Sequence, residues 1–136
     1  MENILLFCTI LTGLLFAPNK QEEPLSGVIE RGLNVSRQQT LLLAKEMEAK
    51  ENRLPKTYEN GVLQTANYKS WISGFFPGVL WYLYEDTPTE ELKKYAELYT
   101  LRVMPAKDMT STHDLGFMLY CSFGNGYRLA GNKSYQ

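Results

Sequence analysis

An all-helical fold is predicted by three observations. Apolar residues recur at helical spacing in four separate segments. Turn signals fall between those segments, among them Leu54-Pro55, Asn60-Gly61 and Pro105. Short strands alternating with helices, the mark of a βαβ fold, are absent from the pattern. The 136 residues set a limit of one domain.

The chain begins with an uncharged apolar run from Asn3 to Ala17. It is too short to span a bilayer as a helix, and it suits the apolar region of a secretory signal over residues 1–17. Met1-Glu2 carries no Lys or Arg ahead of the run, and Leu15-Phe16-Ala17 is a poor cleavage site. The expected location is periplasmic or secreted. The alternative is a cytoplasmic protein whose first residues are buried. Residues 18–24, Pro-Asn-Lys-Gln-Glu-Glu-Pro, read as a linker.

The first helix is expected over Ser26 to Lys50, with Val28, Ile29, Leu33, Leu41 and Met47 on its apolar face. Asn52 to Ser70 reads as a loop, although Asn60-Gly61 is also a hairpin signal. The second helix follows Trp71 and runs to about Glu85, with Pro77 in its first turn, where a missing N–H costs little. Thr87-Pro88-Thr89-Glu90 matches a capping box with Pro at the first helical position, opening a third helix to about Val103. Pro105 stops it. The fourth helix starts near His113 and ends before Gly131-Asn132, a C-terminal signal. The four helices form an antiparallel series.

Composition excludes some functions. The formal net charge is −1, with 44% hydrophobic and 21% charged residues. No basic patch or acidic tail offers a footprint for nucleic acid. Loss of residues 1–17 removes Glu2, leaving 14 basic residues against 14 of the original 15 acidic ones. It also removes Cys8, so Cys121 stands alone without an internal disulfide and reads as a small buried hydrophobe. One histidine and two cysteines argue against a zinc site.

Two stretches could carry chemistry. Ser111-Thr112-His113-Asp114-Leu115-Gly116-Phe117-Met118 holds the single histidine, followed directly by a carboxylate at the mouth of a helix. Asp114 there is either a plain N-cap, worth about 1 kcal/mol, or a carboxylate that orients a hydroxyl or stabilises positive charge. His113 is either satisfied by local backbone or a proton shuttle or hydrogen-bond donor. Adjacent residues cannot assume the mutual geometry of a hydrolase triad, so none is read here. Ser70 to Gly78 begins an aromatic segment, and aromatic faces stack on sugar rings. Phe76, Trp81 and Tyr84 read as core. Trp71, just before the helix, can equally be core or reach a cleft. Gly74 and Gly78 permit close backbone approach, and Gly124 and Gly126 tight helix–helix contact. Glu85, Asp86 and Asp108 read as solvated charges.

The chain from about Leu25 to Gln136 resembles glycoside hydrolase family 88, the unsaturated glucuronyl hydrolases. The resemblance rests on Trp71-Ile72-Ser73-Gly74-Phe75-Phe76-Pro77-Gly78, Thr112-His113-Asp114-Leu115-Gly116-Phe117 and Ser122-Phe123-Gly124-Asn125-Gly126-Tyr127-Arg128-Leu129. It implies an (α/α)6 barrel of six helical hairpins, of which residues 25–136 would form the N-terminal third of the catalytic domain. It further implies removal of a 4,5-unsaturated uronic acid from the non-reducing end of lyase-generated oligosaccharides, without a cofactor. Asp114 matches the family's first active-site Asp. His113 and Trp71 match positions beside it, so the implied substrate-binding residues are Trp71, His113 and Asp114.

The family's second Asp, the general acid/base, would lie several tens of residues beyond Asp114. The expectation is therefore a partial chain, inactive alone, whose inward residues Phe76, Trp81, Met118 and Phe123 lack partners and promote self-association. A non-catalytic helical module that binds sugar or protein is the alternative.

Overall fold

The computed structural model describes residues 23–136. The expected signal segment, and all of the linker except Glu23 and Pro24, lie outside the described residues. Helix α1 spans Leu25–Glu48, β1 Leu54–Glu59, β2 Val62–Ala66, α2 Phe75–Asp86 and α3 Glu90–Val103. A 3-10 turn over Met104–Asp108 follows, then a π-helix over Gly116–Gly124 continued by α4, Asn125–Ala130. The chain closes with a 3-10 turn at Lys133–Tyr135.

Residues 52–70 are the first correction. The expected loop is an antiparallel β1–β2 hairpin with Tyr58 opposite Leu63 and Glu59 opposite Val62. Asn60 and Gly61 make its turn, both at positive φ (51° and 77°), as a two-residue turn of matching twist requires. A bulge between Pro55 and Thr57 absorbs the proline, which has no N–H for the ladder.

Helix α3 buries Leu92, Tyr95, Ala96, Tyr99 and Val103 along one stripe at 3.6-residue spacing. Its cap is Thr89, whose hydroxyl accepts from the Leu92 N–H at 3.2 Å. The expected box put the cap two residues earlier, at Thr87. That hydroxyl instead bonds Arg37 and Asp86, tying α1 to the end of α2. Helix α2 starts at Phe75 rather than directly after Trp71, because residues 70–74 form successive turns. Trp81 is fully buried and donates its indole N–H to Thr100 at 2.9 Å, locking α2 onto α3. Each fully buried large apolar side chain contributes roughly 1.5–3 kcal/mol.

Trp81 and Met118 are fully buried, and Phe76 and Phe123 pack against the same core. The expectation that these four lack partners therefore fails. Trp81 and Met118 are enclosed, Phe76 packs edge-on against Tyr99, and Phe123 packs edge-on against Tyr135 while staying partly exposed. The exposed apolar residues are others, notably Leu25, Val28, Ile29 and Val35 on the first half of α1. Only Ala44 and Met47 of α1 are buried. Its last turn is held by Arg102 of α3, whose guanidinium donates to the carbonyls of Met47, Glu48 and Arg53 at 2.7–3.1 Å. The Glu48 carbonyl is an orphan of the helix end, while Met47 also accepts the Lys50 N–H and Arg53 lies in the segment beyond the helix.

The fourth expected helix is present between its expected limits, but its first nine residues are π-helical. The wider turn accompanies close contact with α2. A Cβ on Gly74 would sit 2.5 Å from the Phe117 carbonyl oxygen, and one on Gly78 3.1 Å from that of Cys121. The buried Ser122 hydroxyl donates to the Met118 carbonyl, one of the groups the altered ladder must satisfy. Gly131 ends α4 in the left-handed conformation, as its sequence position suggests.

Candidate functional site

Asp114 lies at the entrance to the π-helix. Its backbone carbonyl accepts the N–H groups of Phe117 (2.9 Å) and Met118 (3.2 Å), so the residue begins the helix. Its side chain does not cap it. The Thr112 hydroxyl accepts the Asp114 N–H at 3.1 Å and donates to Oδ2 at 3.0 Å, turning the carboxylate back toward the preceding residues. The plain N-cap alternative thus fails on geometry, since its defining bond to a first-turn N–H is absent. The carboxylate is 23% exposed, and His113 Nε2 stands 3.5 Å from Oδ1. The His113 side chain itself is 96% exposed, so it is free to meet a ligand rather than satisfied by local backbone.

An aromatic shelf adjoins this turn. Trp71, 54% exposed, packs edge-on against Phe75 with ring centroids 5.6 Å apart. Phe75 in turn meets Phe117 edge-on at 6.2 Å. Phe117 is three residues from Asp114 and also exposed. Gly74, lacking a side chain, lets the residues after Trp71 lie directly on the Phe117 and Met118 backbone. The structure therefore brings Gly74 and Phe75, just after Trp71, against Phe117 and Met118, in the first turn of the helix that Asp114 begins. Sequence reasoning missed Phe75 and Phe117 as shelf members, and Thr112 as the partner of Asp114. The available signals were the four-residue spacing of Trp71 and Phe75, and a hydroxyl two residues before an acidic one.

A concavity of about 610 Å3 lies between the π-helix and the C-terminal turn. Leu115, Leu119, Tyr120, Phe123 and Tyr135 make it apolar, and no Asp or Glu side chain lines it. Volume and chemistry thus point to different places, and the carboxylate-bearing turn has the groups that a polar ligand needs. Two carboxylates that the sequence reads as solvated, Glu85 and Asp86, are committed to ion pairs. Glu85 makes a two-bond pair with Arg128, which holds its carboxyl below the usual range. Asp86 binds Arg37 at 3.1 Å. Cys121 is half-buried rather than fully so, and burial pushes its thiol up, away from a reactive thiolate. Among the described residues no group of three or more His, Cys, Asp or Glu side chains could hold a metal ion.

No family model matches the chain. An unsaturated glucuronyl hydrolase of Formosa agariphila is 42% identical over 67 residues, which are 49% of this chain and 17% of that protein. A crystal structure of an unsaturated glucuronyl hydrolase specific for heparin superposes with a TM-score of 0.65 and 36% identity, over 76% of this chain and 29% of that one. Over these stretches the chain is similar to unsaturated glucuronyl hydrolases. Its helical hairpin fold is that of part of an (α/α)6 barrel, as the sequence resemblance implied. The chain spans less than a third of the length of either relative.

Proposed function

We propose that this chain supplies part of the sugar site of a glycoside hydrolase that removes a 4,5-unsaturated uronic acid from the non-reducing end of oligosaccharides. The observation that carries the reading is the Asp114 carboxylate, diverted from its helix and standing beside His113 and the Trp71–Phe75–Phe117 shelf. Its relatives by sequence and fold support it.

In this reading the ring of the unsaturated sugar lies against Trp71, whose exposed face offers apolar contact and whose N–H can donate. Asp114 accepts hydroxyl protons of the sugar, and His113 donates to it. The reaction adds a proton to C4 of the double bond and water to C5. Positive charge developing at C5 is favoured by a nearby carboxylate. The hemiketal so formed opens, and the glycosidic bond then breaks.

The test is titration of the isotope-labelled chain with an unsaturated uronyl disaccharide from heparin, the polysaccharide for which the solved relative is specific. Saturable NMR shifts are expected at Trp71, His113 and Asp114. Asp114→Asn should weaken binding roughly tenfold to a hundredfold, the worth of one hydrogen bond to a charged group. Shifts confined to other residues, or equal affinity of Asp114→Asn, would refute the reading. Loss of the absorbance of the C4=C5 bond in the same samples separates catalysis from binding alone.

A further inference from the structure

We infer that Thr112 is a positioning residue that fixes the Asp114 carboxylate in the conformer presented to the sugar. The inference rests on the sugar-site reading above.

An aspartate opening a helix has a strong local alternative. Its carboxylate can fold forward onto the first-turn N–H groups, which lack intrahelical partners. At Asp114 that alternative is not taken, although its carbonyl already starts the helix. The competing interaction comes from Thr112. One hydroxyl both accepts the Asp114 N–H at 3.1 Å and donates to Oδ2 at 3.0 Å. The two bonds form a closed ring spanning three residues, and each orients the other: accepting from the N–H leaves the hydroxyl proton free to point at the carboxylate.

The consequences are specific. Oδ2 has one acceptor direction occupied, while Oδ1 faces His113 at 3.5 Å. The main chain of the same residue is fixed independently, because Phe117 and Met118 bond its carbonyl and Gly74 lies against theirs. Thr112 also accepts the Asp114 N–H, but the helix start has these further main-chain bonds, whereas the carboxylate rotamer has the Thr112 hydroxyl as its hydrogen-bond donor. A bound hydroxyl meets a carboxylate already held in place and avoids the cost of freezing a rotamer.

The experiment compares wild type, Thr112→Ser, Thr112→Val and Thr112→Ala by three-bond NMR couplings that report χ1 of Asp114, and by titration with the unsaturated uronyl disaccharide. Wild type and Thr112→Ser should hold a single rotamer and bind alike. Thr112→Val and Thr112→Ala should average over rotamers and bind several-fold more weakly, with the Phe117 and Met118 amides still protected from exchange. A single unchanged rotamer in both hydroxyl-free variants overturns the inference. So does a lost rotamer with undiminished affinity. If no chain binds the disaccharide, the sugar-site reading fails, and with it the role of Thr112 in presenting Asp114 to a sugar. The couplings then still show whether the hydroxyl holds the rotamer.

Discussion

Replacing Gly74 by Ala tests the junction on which the whole site depends. Gly74 has φ −77° and ψ −16°, a conformation alanine adopts freely. Backbone entropy alone would then favour alanine by about 0.4–1 kcal/mol. The opposing effect is steric. The new Cβ would lie 2.5 Å from the Phe117 carbonyl oxygen, 2.7 Å from the Met118 Cα, and closer still to the Met118 carbonyl oxygen. These are backbone atoms of a helix and cannot rotate aside. Overpacking typically costs about 1–3 kcal/mol, and overlap with two successive peptide units belongs at the upper end, so sterics win. The expected net loss is about 2 kcal/mol in urea unfolding at unchanged m-value, with shifted amide resonances from His113 to Met118. Gly32→Ala is the control, since nothing lies within 4 Å of its Cβ and the site is exposed. It should stabilise by up to about 1 kcal/mol. Stability of Gly74→Ala within about 0.5 kcal/mol of wild type would refute the argument from close approach.

Thr100→Val should cost about 1–3 kcal/mol, because the buried Trp81 N–H is left without an acceptor, while Thr100→Ser should recover most of it; denaturant midpoints decide. Arg102→Met should lose about 3 kcal/mol and fray the end of α1, seen as faster amide exchange at residues 47–53, since three carbonyls lose their donor. Glu48 is held below the usual carboxyl range first by Lys94 and then by the Tyr95 hydroxyl. A carboxyl lowered by folding stabilises above its unfolded value, and that contribution disappears as pH falls through the folded one. The urea midpoint should therefore drop on acidification, and Lys94→Met should flatten part of the drop. Tyr99 is pushed up to about 12 by burial, its hydroxyl donating to the Ala44 carbonyl. It should be the last phenol to ionise in an alkaline absorbance titration, and its stabilising share is lost only as pH rises through that value.

The helices were legible because burial imposes their period. In α3 the buried Leu92, Tyr95, Ala96, Tyr99 and Val103 repeat at the spacing of one helix face. The hairpin was hidden because only Leu54 of β1 is buried, so no alternation of apolar and polar residues marks it. Asn60-Gly61 was its one local sign. The π-helix was equally silent: widening a helix leaves the composition of Gly116 to Gly124 unchanged, and the close contact that accompanies it is made by Gly74, some forty residues earlier. At the site, residue types alone favoured capping for Asp114. The Thr112 hydroxyl that outcompetes the cap was in view, but the choice between the two bonds is set by backbone angles no letter encodes.

Helix α1 is roughly 36 Å long at 1.5 Å per residue, yet its attachments are concentrated in its second half. Arg102 grips its last turn, Ala44 and Met47 enter the core, and Arg37 reaches Asp86 and Thr87 midway. Ahead of Arg37, Leu33 alone packs against the core. Such an element opens from its N-terminal turns like a zipper, because each turn lost there gives up few contacts with the other described residues. Amide exchange along α1 should form a gradient, fastest near Val28 and slowest near Met47, and the molecule can shed its first three turns without disturbing the Asp114 site.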